Sequence, residues 1–444
     1  MIYKIKTYFE KLIIRCVFAI TYKSYRKKRR SEQEKPRLFW GITPIINFKY
    51  WNEALKLDGY DSKTVMDGYL SINNKDDFDH YIEEIKPSRS LMLFVHFKTR
   101  FPYLSKLHLA IYIAKNFDII NTSYNGLVYK DTELWNEELL FYKKADMKII
   151  AIPYGEDYQR FSKIYSPSWH HVLLMNFYRN LKKEKAINEK IEFFVENADC
   201  IMAGFQFDQV GRWDILPYAV YPMNCDQWQP KQRYNNNDGI NGVVKVYHTP
   251  NHRGVKGTEF LLEAVDALKK EGLLIELVLL EKIKNDKVRE MLFSDADILV
   301  EQLILGYALS AIEGMSTGLP VITNFEEEIY TRVFRRYSYL NECPMLSSCP
   351  ERIKDDLRIL VRNPELRRTL GMAGRRFAEK YHSYNAMAVI FNAIYDKIWY
   401  NKPVDLINFF NPQNKESYNN RTEKIQHPLH ENKIPADLIE NLHK

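Results

Sequence analysis

Hydrophobic positions in this 444-residue chain fall into short runs, separated by longer stretches with helical periodicity. From Leu38 the run "LFWGIT" reads as a buried strand entering a glycine turn, and "NFKYWNEALKLDGY" as an amphipathic helix closed by Gly59. Further strands are expected at "SLMLFVH" (90–96), "MKIIAIP" (147–153) and "DCIMAG" (199–204), with a long helix from about His171 to Asn197. A polar stretch, "QPKQRYNNNDGING" (229–242), marks the neighbourhood of a domain junction. The alternation then restarts through "VVKVYH", "TEFLLEAVDALKKEG", "LLIELVLL", "DKVREMLF", "DILVEQ", "ALSAIEGMST" and "LPVITN". Strand-helix alternation of this kind means a parallel sheet covered by helices, so the class is α/β with two doubly wound domains. Helices fill most of 350–400, and the last forty residues, polar and Asn-rich, are expected to be loosely held.

The first 37 residues follow a different pattern. Ile2, Ile5, Phe9, Leu12, Ile13, Cys16 and Ile20 share one side of a helical wheel, with Lys4, Lys11 and Arg15 opposite, while Ile14 and Phe18 blur the stripe. Twelve Lys or Arg against three Glu give this segment +9 in a chain of net +7, which leaves the remainder at −2. A nearly neutral body argues against a nucleic-acid groove. The apolar run is too short to span a bilayer and has no small-residue cleavage site after it. The basic cluster Arg26 to Arg30 instead points to residues 1–30 lying on an anionic membrane surface, the other reading being a helix packed on the body. The expected location is therefore cytoplasmic, peripheral on the inner face of the cell membrane.

Hydrophobic residues at 45%, with 14% aromatics, are enough for packed cores. Cys16, Cys200, Cys225, Cys343 and Cys349 are scattered without a C-x-x-C and read as reduced thiols. His170 and His171 lack ligand partners at metal spacing and read as structural, so no metal is indicated. The absence of a G-x-G-x-x-G fingerprint gives a nicotinamide or flavin cofactor little support.

Ligands of open parallel sheets bind outside the carboxyl ends of the strands. After "VVKVYH" the loop "TPNHRGVKGT" presents Arg253 and Lys256, and after "DILVEQ" a helix starts close to Tyr307 or Ala308. An Arg fork, a Lys point charge and a helix N-terminus suit a diphosphate without a metal. Glu313, about one and a half turns into that helix, is placed to accept hydrogen bonds from a ribose.

The stretches "HRGVKGTEFLLEAVDALKKEG" and "DADILVEQLILGYALSAIEGMSTGLPVIT" resemble the carboxyl-terminal domain of bacterial group-1, family 4-like glycosyltransferases of the GT-B fold. "WGITPIINFKYWNEALKLDGYDS", "IPYGEDY" and "ENADCIMAG" are similar to the acceptor half of relatives that build surface polysaccharides. The resemblance implies an acceptor-binding domain over 38–222, a nucleotide-sugar domain over 223–385 and a helix at 386–404 packing back on the first domain, followed by a polar tail at 405–444. It implies that Arg253 and Lys256 hold the donor diphosphate and Glu313 the ribose, with Gly306, Tyr307 and Ala308 in the substrate turn. The family's first Glu would stand at Leu305, which cannot accept a hydrogen bond, and Gln302 is the nearest polar substitute. Gly41, Thr43, Gly155 and Asp157 would face the cleft from the first domain, and His96 would reach the reacting sugar. The expected reaction is retaining transfer from a nucleotide sugar to a lipid-linked or polysaccharide acceptor, with no cofactor besides the donor. Two rivals are a catalytically silent sugar-nucleotide-binding scaffold, which Leu305 favours, and a nucleotide-sugar epimerase on the same architecture.

Overall fold

The computed structural model describes residues 2–70 and 73–442. Eleven strands form two sheets, all ladders parallel among the described residues. The first sheet holds β1 (Leu38–Ile42), β2 (Ser62–Met66), β3 (His80–Tyr81), β4 (Ile119–Thr122), β5 (Lys148–Ala151) and β6 (Cys200–Ile201), in the order 3-2-1-4-5-6. The second holds β7 (Val244–His248), β8 (Ile275–Leu279), β9 (Ile298–Val300), β10 (Val321–Thr323) and β11 (Leu346–Ser347), in the order 11-10-9-7-8. Both are doubly wound orders in which the chain reverses direction across the sheet, between β1 and β4 and between β7 and β9. The carboxyl ends of β5, β6 and β9 meet at a shared cavity, so two Rossmann-like domains face a cleft in the GT-B arrangement.

An aromatic layer ties the carboxyl-terminal helix to the first domain. The helix Tyr384–Ile398 lies on Ile46–Leu57, with Phe391 edge-on to Trp40 at 5.3 Å and to Trp51 at 6.1 Å. Tyr60 donates to Asn392 at 2.6 Å and Tyr384 to Glu53 at 2.5 Å, so the polar rim of this contact is bonded as well.

Three expectations need correction. "SLMLFVH" is not a strand: Met92–His96 is a short helix on the surface, because an unbroken apolar run carries no period that separates strand from helix. The expected helix 171–197 is broken into Pro167–Phe177, a tighter 3₁₀ segment Tyr178–Lys183, and Glu184–Asn197. The carboxyl-terminal residues are not loose, since Leu406, Phe409, Phe410, Ile425, Leu429 and Ile434 are buried. Asn432 donates to the carbonyls of Cys343 and Met345 at 2.7 and 3.0 Å, and its own carbonyl accepts from Ser347. The Asn side chains of this segment thus satisfy backbone groups that no ladder reaches.

The amino-terminal helix Ile2–Arg26 packs on the body. Ile14 and Phe18, which blurred the stripe, are the docking face: both are buried, and Phe18 stacks on Phe141 at 4.2 Å. Arg15 makes a two-pronged contact with Glu137 at 2.7 Å, and Lys11 meets Glu133 at 2.9 Å. Arg29 and Arg37 converge on the fully buried Asp118. The stripe itself points away from the protein, with Ile5, Phe9, Leu12, Ile13 and Ile20 all exposed. Side chains of Ile2 and Lys4 lie outside the described residues.

Candidate functional site at the carboxyl strand ends

The crevice between β7 and β9 is filled by side chains from four elements. Thr258 opens the helix Thr258–Lys270 and donates to His248 Nε2 at 2.8 Å, while His248 Nδ1 donates to the Val300 carbonyl at 2.7 Å. Burial holds this imidazole neutral by pushing its pKa down to about 4, so it bridges the two strands without carrying charge. Lys256, in the short helical turn Arg253–Lys256, reaches Glu301 immediately after β9. Both are buried, Glu301 at 0% exposure, and Ser310 Oγ donates to the same Glu301 oxygen at 2.9 Å. Sequence reading missed Glu301, although it stands in the strand-end string "DILVEQ" beside Gln302.

Glu313 sits within the helix Leu309–Ser316, buried beside this pair. Its Oε1 accepts from Asn285 Nδ2 at 2.6 Å. Burial pushes its carboxyl up to about 7, with Lys256 opposing and Glu301 adding to the shift. Arg253 is different: its guanidinium is 44% exposed and lies 3.4 Å from Glu259 and 3.3 Å from Glu281. Lys256 and Glu313 thus belong to one buried polar cluster, while Arg253 stands outside it, partly exposed and flanked by Glu259 and Glu281.

The turn before Leu309 is held rigidly. Gly306 has φ +60°, where a Cβ would approach Phe205 at 3.1 Å and Tyr218 Oη at 3.2 Å, and its N–H donates to Asn324 at 2.7 Å. Tyr307 stacks on Tyr218 at 4.6 Å. Gln302 donates to the Leu305 carbonyl, closing the turn on itself. Leu305 is buried among Val172, Ile304 and Tyr330, with Trp169, Phe205 and Phe207 beside them. An aliphatic side chain therefore stands here because it fastens the turn to the first domain, a contact that a carboxylate could not make without losing hydration.

A cavity of about 290 Å³ opens over this turn. Gln302, Leu305, Gly306, Tyr307 and Ala308 line it from the second domain, and Gly155 from the first. Asp157 does not line it: the carboxylate is buried and accepts from Tyr154 N at 2.9 Å, capping the Gly155 turn, with burial pushing it up to about 7. Gly41 lies inside β1 rather than in a turn, where a Cβ would come within 2.3 Å of the Val65 carbonyl oxygen. Its glycine is explained by strand packing, and Thr43, two residues on, also lies outside the cavity lining. His96 is exposed on the short surface helix and packs edge-on to Phe97, so the strand that was to aim it into the cleft is absent.

No protein-family model matches this chain, and no curated protein matches it. Solved structures with a similar chain path include an alpha-glucosyltransferase bound to UDP and a 13-mer DNA, at TM-score 0.46 and 10% identity over 81% of this chain and 100% of that one. An O-GlcNAc transferase from Thermobaculum terrenum gives TM-score 0.44 at 10% identity, over 87% and 74% of the two chains. MnaA from S. aureus with UDP gives 0.41 at 13% identity, over 83% and 99%. At TM-scores below 0.5 these likenesses assign no activity to this chain.

Proposed function

We propose that the protein is a GT-B glycosyltransferase that moves a hexose-type sugar from a nucleotide sugar to a lipid-linked or polysaccharide acceptor. The observation that carries this reading is the polar cluster at the β7/β9 reversal, where Lys256, Glu301 and Glu313 gather beside a cleft shared by both domains. That is where doubly wound sheets hold their ligands. Arg253 is the exposed cation suited to a diphosphate, and Glu313 the carboxylate suited to a ribose. In the transfer step, negative charge builds on the leaving diphosphate, and cations placed beforehand stabilise it more than they stabilise the ground state. The outward stripe of the amino-terminal helix, with Lys23, Lys27 and Lys28 exposed at its carboxyl end, provides the contact to an anionic leaflet. Among the described residues no helix is long and apolar enough to cross a membrane.

One observation favours the silent scaffold as a second reading. The Lys256 charge is already matched by Glu301, and Leu305 is committed to apolar packing, so two positions that would meet the donor are occupied by internal contacts. A panel of nucleotide sugars, assayed for binding, hydrolysis, epimerisation and transfer, separates the readings. With the best donor, Arg253→Ala should lose about 1.5–3 kcal/mol of binding, roughly ten- to a hundredfold in affinity. Binding without any turnover supports the scaffold, and equal affinity of wild type and Arg253→Ala removes the proposed diphosphate site.

A further inference from the structure

The cleft cavity has a composition that its role as a diphosphate neighbour does not explain. Among the described residues lining it there is no Asp, Glu, Lys, Arg or His. Its polar side chains are the amides of Asn47, Gln159, Gln206 and Gln302 and the phenols of Tyr154, Tyr158, Tyr221 and Tyr307, and the rings of Trp51, Trp169 and Phe205 complete its aromatic walls. Asn47 is 0% exposed, yet neither its Oδ1 nor its Nδ2 has a hydrogen-bond partner in the protein. The indole N–H groups of Trp51 and Trp169 are likewise buried and unpartnered. A buried amide left without partners costs about 1–3 kcal/mol. One unpartnered amide and two unpartnered indoles, on two different helices, thus border the same cavity and leave hydrogen-bonding groups for a ligand to meet.

We propose that this cavity seats a neutral, hydroxyl-rich ring, a glycosyl unit of the acceptor, held by the free amide of Asn47 and the indole N–H of Trp169. This rests on the glycosyltransferase reading and specifies the acceptor end of it. Charge decides the class: a phosphate or carboxylate placed here would be taken out of water with no cation to meet it. A hydroxyl both donates and accepts, which is what a side-chain amide offers in return. Indole and phenol rings supply apolar faces with polar edges, matching a ring with apolar faces and hydroxyls around its rim. At about 290 Å³ the cavity falls just below the range of about 300–1,000 Å³ for drug-sized ligand sites, so it takes a single ring rather than a chain. The anionic part of a donor belongs instead beside Arg253, outside the lining.

The test uses the full chain, with tryptophan fluorescence and saturation-transfer NMR as readouts. The probes are methyl glycosides of glucose, galactose, mannose and N-acetylglucosamine, with glucose 6-phosphate and mannose 6-phosphate as charged counterparts. At least one neutral glycoside should bind saturably and its phosphate should not. Asn47→Leu and Trp169→Phe should each weaken that binding about tenfold or more. Asn47→Leu should leave the thermal midpoint unchanged or raise it, because an unpartnered amide is removed. Failure of every neutral glycoside to bind overturns the proposal, as does equal binding of the phosphates, or a lowered midpoint in Asn47→Leu that shows the amide to be bonded structurally. The two readings fail separately. Nucleotide-sugar binding that depends on Arg253, without glycoside binding, leaves the donor site standing, and glycoside binding without transfer leaves the cavity standing alone.

Discussion

Replacing Lys256 by Met is expected to destabilise the protein by about 3–5 kcal/mol, because the Glu301 carboxylate, fully buried, is left with only hydroxyl donors. Glu301→Ala should cost a similar amount from the other side, stranding the Lys256 ammonium. The double variant Lys256→Met with Glu301→Gln should recover most of the loss, since an amide in place of the carboxylate keeps the Ser310 contact and the buried charge is gone. Denaturant midpoints of the three variants give the comparison. Nucleotide-sugar affinity measured in the double variant tests the proposed contact of Lys256 with the diphosphate apart from its part in stability: a low affinity in the refolded double variant supports that contact, and a wild-type affinity removes it. A single Lys256→Met variant as stable as wild type would mean that the pair does not form.

The second large effect concerns the two faces of the amino-terminal helix. Phe18→Ala removes a buried ring stacked on Phe141 and should cost about 3–5 kcal/mol. On the opposite face, Leu12→Ser with Ile13→Ser should change stability by no more than about 0.5 kcal/mol per site, because both side chains are exposed. The same double change should weaken sedimentation with phosphatidylglycerol vesicles at least about tenfold, since each apolar side chain buried in lipid contributes about 1.5–3 kcal/mol. Raising the salt should weaken wild-type binding further by screening the exposed lysines. Vesicle binding that survives the loss of Leu12 and Ile13 would show that the outward stripe is not the contact.

Much of this architecture was legible because buried parallel strands are apolar runs and their covering helices keep a period of 3.6 residues. "VVKVYH", "DILVEQ" and "LPVITN" could be placed because each is short, β-branched and followed by a helical pattern. "SKTVM" escaped as β2 because three of its five residues are polar or charged, even though the strand packs inside the sheet. The tail misled for the opposite reason: its composition is polar, yet an apolar residue every few positions is enough to tie it down. At the site, Arg253, Lys256 and Glu313 could be picked from strand ends. That Lys256 meets Glu301, 45 residues away, could not, since pairing between loops depends on strand order. The Asn47 amide was invisible for a related reason, because an Asn in the first turn of a helix reads as a capping residue whatever it faces.

The central claim, that Glu313 holds the ribose of a nucleotide sugar, is most directly tested by the pH dependence of donor binding. A nucleotide sugar is the right probe because its diphosphate is a diester and does not titrate near neutrality. Burial has moved the carboxyl from 4.5 to about 7, so the folded state binds this proton more tightly than the unfolded chain does. Its contribution to stability therefore falls as pH rises from about 4.5 to about 7, while its ability to accept from ribose hydroxyls appears over the upper part of that window. Wild-type affinity should climb about tenfold in all as pH rises through about 7 and level off above it, whereas Glu313→Gln should bind about tenfold more weakly at pH 8 and show no such rise. Identical affinities and identical pH profiles for the two proteins would contradict the assignment.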